Sequence, residues 1–129
     1  MDVSIVTPEK EVWRGDADLV IARSPEGDFG IMRGHIPFLV ALVPGLVTVV
    51  AGSQRDQYIV PGGFLEASGP ADDYHVIVLA DEAEDAGDID AAEARRRIED
   101  AQREAEEHVD ERAEAGMRAP MARPELGRD

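Results

Sequence analysis

The sequence predicts a mainly antiparallel β-sandwich of about ten strands followed by an α-helical C-terminal segment. Three observations predict it. Up to about Ala80 the chain breaks into short apolar runs separated by Gly and Pro at roughly 8–12-residue spacing, the rhythm of a sandwich or barrel. The composition then changes: all six aromatic residues and nine of the twelve glycines lie before residue 81. Finally, the stretch from Ile89 to Ala115 holds no Gly or Pro, and its small and apolar residues recur at spacings of three and four, which is one stripe of a helix. The expected division is a sandwich over residues 1–84 and a helical segment over residues 85–129, with a long first helix and a short tail.

Each element has its own signal. Val3–Thr7 is a strand stopped by Pro8. Glu11–Arg14 alternates before Gly15. Leu19–Ala22 is continuously apolar, as a strand buried on both faces or at a corner would be. Phe29–Met32 is short, and Phe38–Val43 is an apolar run closed by Pro44 and Gly45. Leu46–Val50, Gln57–Val60, Phe64–Ala67 and His75–Leu79 complete the set. No helix-length periodic stretch interrupts them, which argues against a parallel α/β sheet. Asp88 is the expected helix N-cap, with acids near the start where the helix dipole favours them. The stripe Ala91, Ala94, Ile98, Ala101, Ala105, His108, Arg112 and Ala115 is nearly all small or polar. Apolar burial contributes ~25 cal/mol per Å2, so such a stripe holds a helix down weakly. Gly116 is the expected end, and Pro120 and Pro124 break up the remaining tail.

The 129 residues include 13 basic and 28 acidic side chains, a formal net charge of -15. Residues 1–80 carry 5 basic and 11 acidic groups; residues 81–129 carry 8 and 17. Nucleic acid is excluded as a partner on this balance, because phosphate binding needs a positive footprint. Direct docking or insertion into anionic lipid is disfavoured for the same reason. There is no cysteine, which removes disulfides, thiol catalysis and thiolate-held metals. The first residues lack a basic start followed by an apolar run, and no apolar stretch approaches the ~20 residues of a membrane span. The expectation is a soluble chain on the cytosolic side.

The motifs make no case for an enzyme acting alone. The run Glu26-Gly27-Asp28-Phe29-Gly30-Ile31 invites comparison with a phosphate cradle. Such cradles need a helix directly after them and a cation; here there is no such helix and two carboxylates would repel phosphate. Its glycines read as turn residues. His35, His75 and His108 show no metal-ligand spacing, and Ser4, Ser24, Ser53 and Ser68 lie in no nucleophile-elbow pattern. Asp72-Asp73 and Glu84-Asp85 read as solvated loop and helix-approach charges. No catalytic residue, metal or cofactor is expected. Two readings stay open from these residues: an acidic sandwich that binds a small ligand or serves as an adaptor, and a small hydrolase built on His35 or His75.

Five motifs in order carry a resemblance. They are Glu26-Gly27-Asp28-Phe29-Gly30-Ile31; Gly34-His35-Ile36-Pro37; Pro44-Gly45; Gly62-Gly63-Phe64-Leu65-Glu66; and Val78-Leu79-Ala80-Asp81-Glu82-Ala83-Glu84. With the opening Ile5-Val6-Thr7-Pro8-Glu9 and the alanine-rich charged helix, the chain resembles the epsilon subunit of F-type ATP synthases over roughly residues 2–110. The resemblance implies a ten-stranded sandwich with a helical hairpin. It also implies a non-catalytic subunit of the rotating central stalk that couples proton flow to ATP synthesis. Such a subunit lies peripherally on the cytoplasmic side of the bacterial plasma membrane. Its implied partners are the gamma subunit, the membrane ring of c subunits and, through the helical segment, the α/β catalytic head, where it restrains ATP hydrolysis. Carried over by position, Glu26, Asp28 and Phe29 meet the c-ring, while His35 and Phe38 meet gamma.

The chain also departs from that family. Arg33 stands where a proline usually precedes the Gly-His pair, placing a cation beside the acids. Some members bind ATP through an Ile/Leu-Asp-x-x-Arg-Ala motif. Here the matching residues are Ile89-Asp90-Ala91-Ala92-Glu93-Ala94, a degenerate version in which Glu93 replaces the arginine. A carboxylate cannot stand in for a guanidinium beside phosphates, so weak or absent ATP binding is expected, with Arg95 as a displaced substitute. The first helix is about a turn longer than usual and the second is reduced, so a full inhibitory hairpin is not expected.

Overall fold

Alternation of inward and outward side chains builds two layers from the apolar runs. The computed structural model describes residues 1–34 and 36–118, with side chains of the last helix described to residue 107. The elements are β1 (Asp2–Val6), β2 (Glu11–Asp16), β3 (Leu19–Ser24), β4 (Gly27–Ile31), β5 (Phe38–Leu42), β6 (Gly45–Ala51), β7 (Gln54–Val60), β8 (Gly63–Ser68), β9 (His75–Ala80), β10 (Glu84–Asp85) and α1 (Ala91–Arg118). Sheet A has the order β2-β1-β9-β8-β5, and sheet B the order β10-β7-β6-β3-β4. The chain visits the sheets in consecutive pairs (β1–β2, β3–β4, β6–β7 and β8–β9) with β5 and β10 entered singly, and it switches layer at corners such as Val43-Pro44 between β5 and β6. All pairings are antiparallel except β1 with β9, which run parallel with Val3 opposite Val76 and Ile5 opposite Val78.

The core lies between the layers. Val3 and Ile5 from β1, Val20 and Ala22 from β3, Val47 and Val49 from β6, Leu65 and Ala67 from β8, and Val76 and Val78 from β9 are all buried. Each set is an i, i+2 pair, the signature of one strand face. Two polar bonds brace this layer. The Tyr74 hydroxyl donates to the Ile36 carbonyl at 3.1 Å, and the Trp13 indole N–H donates to Asp56 at 2.8 Å, joining β2 in sheet A to β7 in sheet B. Burial pushes the Tyr74 phenol above its ordinary value near 10.

Several expectations change in detail. Gly15 does not stop β2: the strand runs to Asp16 and Gly15 pairs with Val3. A Cβ at Gly15 would meet the Trp13 ring at 3.3 Å, so the glycine makes room for the indole. Glu84 and Asp85 are not a plain loop. They form β10 on the edge of sheet B, paired with Ile59 and Tyr58. Two exposed acidic residues carry no strand periodicity, so this strand is written in backbone pairing alone. Leu19–Ala22 is buried through Val20 and Ala22 and only half-buried through Leu19 and Ile21.

The helix N-cap is Asp90, not Asp88: its carboxylate accepts the Glu93 backbone N–H at 2.8 Å. This is the N3 bond of a capping box. The helix also continues past Gly116 to Arg118, since an interior glycine costs only about 1 kcal/mol relative to alanine. Its 28 residues span about 42 Å. Among the described residues no helix is long and apolar enough to cross a membrane. Pro120 and Pro124 lie outside the described residues.

Candidate functional site

The two outer faces of the sandwich differ. Sheet B carries Leu46, Thr48, Gln57 and Ile59 outward, and α1 lies over this face. A cleft of about 550 Å3 between them is lined by Leu46, Gln57, Ala94 and Ile98, among others. Thr48 is 4% exposed and accepts a hydrogen bond from Gln57 at 3.3 Å. Sheet A has no element over its outer face among the described residues. Its register sets Ala41, Phe64, Leu79 and Val6 in one row across four strands, and Leu39, Glu66, Ile77 and Ser4 in the next. Leu39 is 70% exposed, Phe64 53% and Leu79 51%. Met32 and Ile36, in the segment between β4 and β5, are also exposed. Contiguous large apolar side chains on a sheet face mark an interaction surface rather than scattered surface hydrophobics.

The second feature is the tip of the β3–β4 hairpin. Ser24 pairs with Gly27, leaving Pro25 and Glu26 as the loop. Pro at the second turn position and Gly at the fourth suit a tight turn, and Gly27 takes a φ of +123° that favours glycine. Ser24 braces the turn, accepting the Glu26 N–H at 3.2 Å and donating to the Gly27 carbonyl at 3.1 Å. Glu26 is exposed at this fixed corner and lines a cleft of about 660 Å3 that the tip shares with Gln102, Ala105 and Glu106 of α1. Asp28 is one step along β4, opposite Arg23, with an ion-pair distance of 3.9 Å. The cation beside the acids is thus Arg23, not Arg33. Arg33 comes after the far end of β4, where Ile31 pairs with Val20.

The aromatic candidates sit differently. Phe29 and Phe38 are half-buried against the core, with ring centroids 5.6 Å apart and planes tilted by 57°. Two residues assigned by sequence to two different partners thus pack on each other, bridging β4 of sheet B and β5 of sheet A. The outward side chain beside Phe38 is Leu39. His35 lies outside the described residues. Sequence reading misses the exposed patch of Leu39, Phe64 and Leu79, because an isolated apolar residue in a strand looks the same whether its face is covered or bare. The signal present is the continuously apolar run Phe38–Val43, which has more apolar residues than one buried face requires.

The remaining candidates are brought to no common centre. His75 and Ser68 are cross-strand neighbours, 3.1 Å apart, and among the described residues no carboxylate bonds the other ring nitrogen. They make a sheet-surface pair and not a triad, which needs that orienting acid. Among the described residues no group of three or more His, Asp or Glu is arranged to hold a metal. In the degenerate motif, Ile89 is half-buried and its N–H reaches the Ala86 carbonyl at 3.4 Å. Asp90 is engaged as the N-cap, and Glu93 ion-pairs with Arg96 and Arg97 on its own helix.

Comparison with known proteins decides the family. The model of the ATP synthase delta/epsilon chain β-sandwich domain matches residues 1–86. The ATP synthase epsilon chain of Anaeromyxobacter sp. (strain K) is 47% identical over 102 residues, covering 79% of this chain and 74% of that protein. The chain belongs to the ATP synthase epsilon chain family. Relatives from Thermobifida fusca, 41% identical over 94% of this chain and 84% of theirs, and Shouchella clausii, 37% identical over 99% and 95%, carry the same name. Two solved structures share the fold. A chain of the Euglena gracilis mitochondrial ATP synthase OSCP/F1/c-ring structure has a TM-score of 0.61 at 22% identity, covering 93% of this chain and 67% of that one. A chain of the Tetrahymena thermophila central stalk/c-ring structure has 0.60 at 18%, covering 81% and 95%. An epsilon chain is one subunit of ATP synthase rather than an enzyme by itself.

Proposed function

We propose that this chain works as the central-stalk subunit that grips gamma through the outer face of sheet A and meets the membrane ring through the β3–β4 tip. The observation that carries the reading is the bare patch of Leu39, Phe64 and Leu79, which spans two neighbouring rows of sheet A, on a chain of this family. Covering three large side chains now half or more exposed would contribute roughly 3–6 kcal/mol, the scale of a hot-spot cluster. The His35–Phe38 segment leads into the edge strand of this face. Glu26 and Asp28 suit polar ring loops that offer basic and amide groups, where complementary charge fixes register more than it adds affinity. Phe29 holds that hairpin to the sandwich from inside. The chain thereby passes rotation between ring and catalytic head, coupling proton flow to ATP synthesis, peripherally at the cytoplasmic side of the bacterial membrane.

Co-purification with gamma is the primary test. A stable complex is expected; a chain that ignores gamma would sink the stalk assignment. Reversing both charges (Glu26→Lys with Asp28→Lys) is expected to impair proton-driven synthesis while leaving the gamma complex intact. Full synthesis in that variant would remove the ring contact alone. ATP finds no guanidinium at position 93, so isothermal titration is expected to give no micromolar binding. The helical segment reaches towards the α/β head and restrains hydrolysis only when it leaves sheet B. Deleting residues 88–129 is therefore expected to leave coupled synthesis largely intact.

A further inference from the structure

Helix α1 covers sheet B without burying any residue fully as far as Glu107. Its half-buried side includes Ala94, Ile98, Ala101 and Ala105, of which only Ile98 is large. What else holds it is electrical. A cleft of about 380 Å3 between the helix and the segment leading into β10 is lined by four carboxylates, Glu82, Glu84, Asp100 and Glu104, and by one cation, Arg97. Arg97 ion-pairs with Glu84 across the cleft and with Glu93 on its own helix, the latter at 2.8 Å. The other ion pairs of α1 among the described residues, Arg96–Glu93 and Arg103–Asp100, stay within the helix. Among the described residues one guanidinium therefore carries the charge contact between helix and sandwich.

We propose that Arg97 is the counter-charge that lets the helix close, and that without it repulsion across the acidic cleft opens the helix. An exposed ion pair by itself shifts an equilibrium by no more than about fivefold. Here removal of the cation also leaves Glu84 and Glu104 across the cleft unneutralised, within a body and a helix that are both acidic. Like charges across such a short gap lie inside the Debye length of ~10 Å at 0.1 M salt, but are screened at ~1 M, where that length is ~3 Å. In the native chain, salt weakens the attraction and the repulsion together, so the docked population changes little. In an Arg97→Gln chain only repulsion remains, and salt should close the helix again. This inference concerns the free chain and does not depend on the gamma assignment.

The test uses the full chain, whose lack of cysteine allows spin labels at Arg55→Cys on β7 and Glu107→Cys on α1. Pulsed electron resonance then reads the docked and open distances. The native background should be mainly docked at both low and high salt. Arg97→Gln should lower the docked-to-open ratio about tenfold at low salt and recover to within about twofold at ~1 M. Arg97→Lys, which keeps the charge, should stay within about threefold of native. Glu84→Gln removes a partner but also a repelling charge, so it should open the helix less than Arg97→Gln. Unchanged Trp13 emission certifies the sandwich in each variant. The proposal is overturned by a native helix that is mainly open, or by an Arg97→Gln helix that stays docked at low salt. An Arg97→Gln helix that opens and stays open at high salt would assign Arg97 to packing instead. Glu84→Gln opening as far as Arg97→Gln would reduce the effect to one bond and overturn the role of the cleft.

Discussion

The outer face of sheet B is covered by the chain's own helix through alanines, one isoleucine and one arginine. The outer face of sheet A is uncovered among the described residues and presents Leu39, Phe64 and Leu79. Side-chain size separates two kinds of contact. Large apolar groups give a lasting joint with another subunit, whereas alanines and a charge give a joint that opens. On the proposed reading the same sandwich presents a fixed side and a releasable side, separated by a single core layer.

The most severe way to break this contrast is to charge the bare face. Phe64→Asp with Leu79→Lys, opposite charges on directly paired residues, should weaken binding to gamma at least 100-fold, about 3 kcal/mol, with little change in the thermal midpoint of the free chain. Calorimetric titration against gamma checks it, and retained affinity would move the interface elsewhere. A comparable free energy, lost from folding rather than binding, is expected from Gly63→Ala. Gly63 has a φ of +140°, and a Cβ there would lie 2.1 Å from the Leu79 carbonyl oxygen. The variant should lose about 3 kcal/mol in urea unfolding and so damage both faces together. Stability within ~0.5 kcal/mol of native would mean that the β8–β9 junction relaxes freely.

On the releasable side the effects are smaller. Asp90→Ala removes the N-cap and should cost the helix about 1 kcal/mol, read as faster amide exchange over the first turns of α1 with the strands unchanged. Uniform protection of α1 and the strands in the native chain would contradict the idea of a loosely held helix.

The smallest effect is alkaline. Burial raises Tyr74, and burial followed by the charges of Asp85 and Asp56 raises Tyr58. Below about pH 10 the phenols are neutral both folded and unfolded, so they add no slope. Above it the unfolded chain loses protons first, and stability should fall as pH rises. Replacing both tyrosines by phenylalanine should flatten that part of the curve; an unchanged slope would assign it to other groups.

How much of this is legible in the residues depends on whether side chains announce their surroundings. The core strands do, because Val3 with Ile5 and Val76 with Val78 must share a face once the period is two. Part of the helix stripe does as well: Ala94, Ile98, Ala101 and Ala105 are half-buried as the spacing requires, whereas Ala91 is exposed and the side chains from His108 onward lie outside the described residues. β10 does not, since backbone pairing with β7 leaves no mark on Glu84 and Asp85. The sequence offers Asp88 as the N-cap and gives Asp90 only a place in the degenerate ligand motif; the 2.8 Å bond from the Glu93 N–H shows that Asp90 caps the helix. Phe29 and Phe38 are separated by their positions in the chain and joined by a corner between sheets, a distance that spacing does not encode. The turn at the acidic hairpin tip is legible because Ser24, Pro25 and Gly27 each favour turn geometry.

The parallel pairing of β1 with β9 has a consequence for the newborn chain. Asp2 pairs with His75, so the first strand of the sandwich to be made must wait for the last strand of its sheet. At 5–20 residues per second that wait is roughly 4–15 s. Throughout it Val3 and Ile5 have no partner on the side where β9 will lie. The polypeptide therefore spends its infancy with an open apolar edge, and this is the period in which a chaperone would find it or a neighbouring nascent chain would trap it.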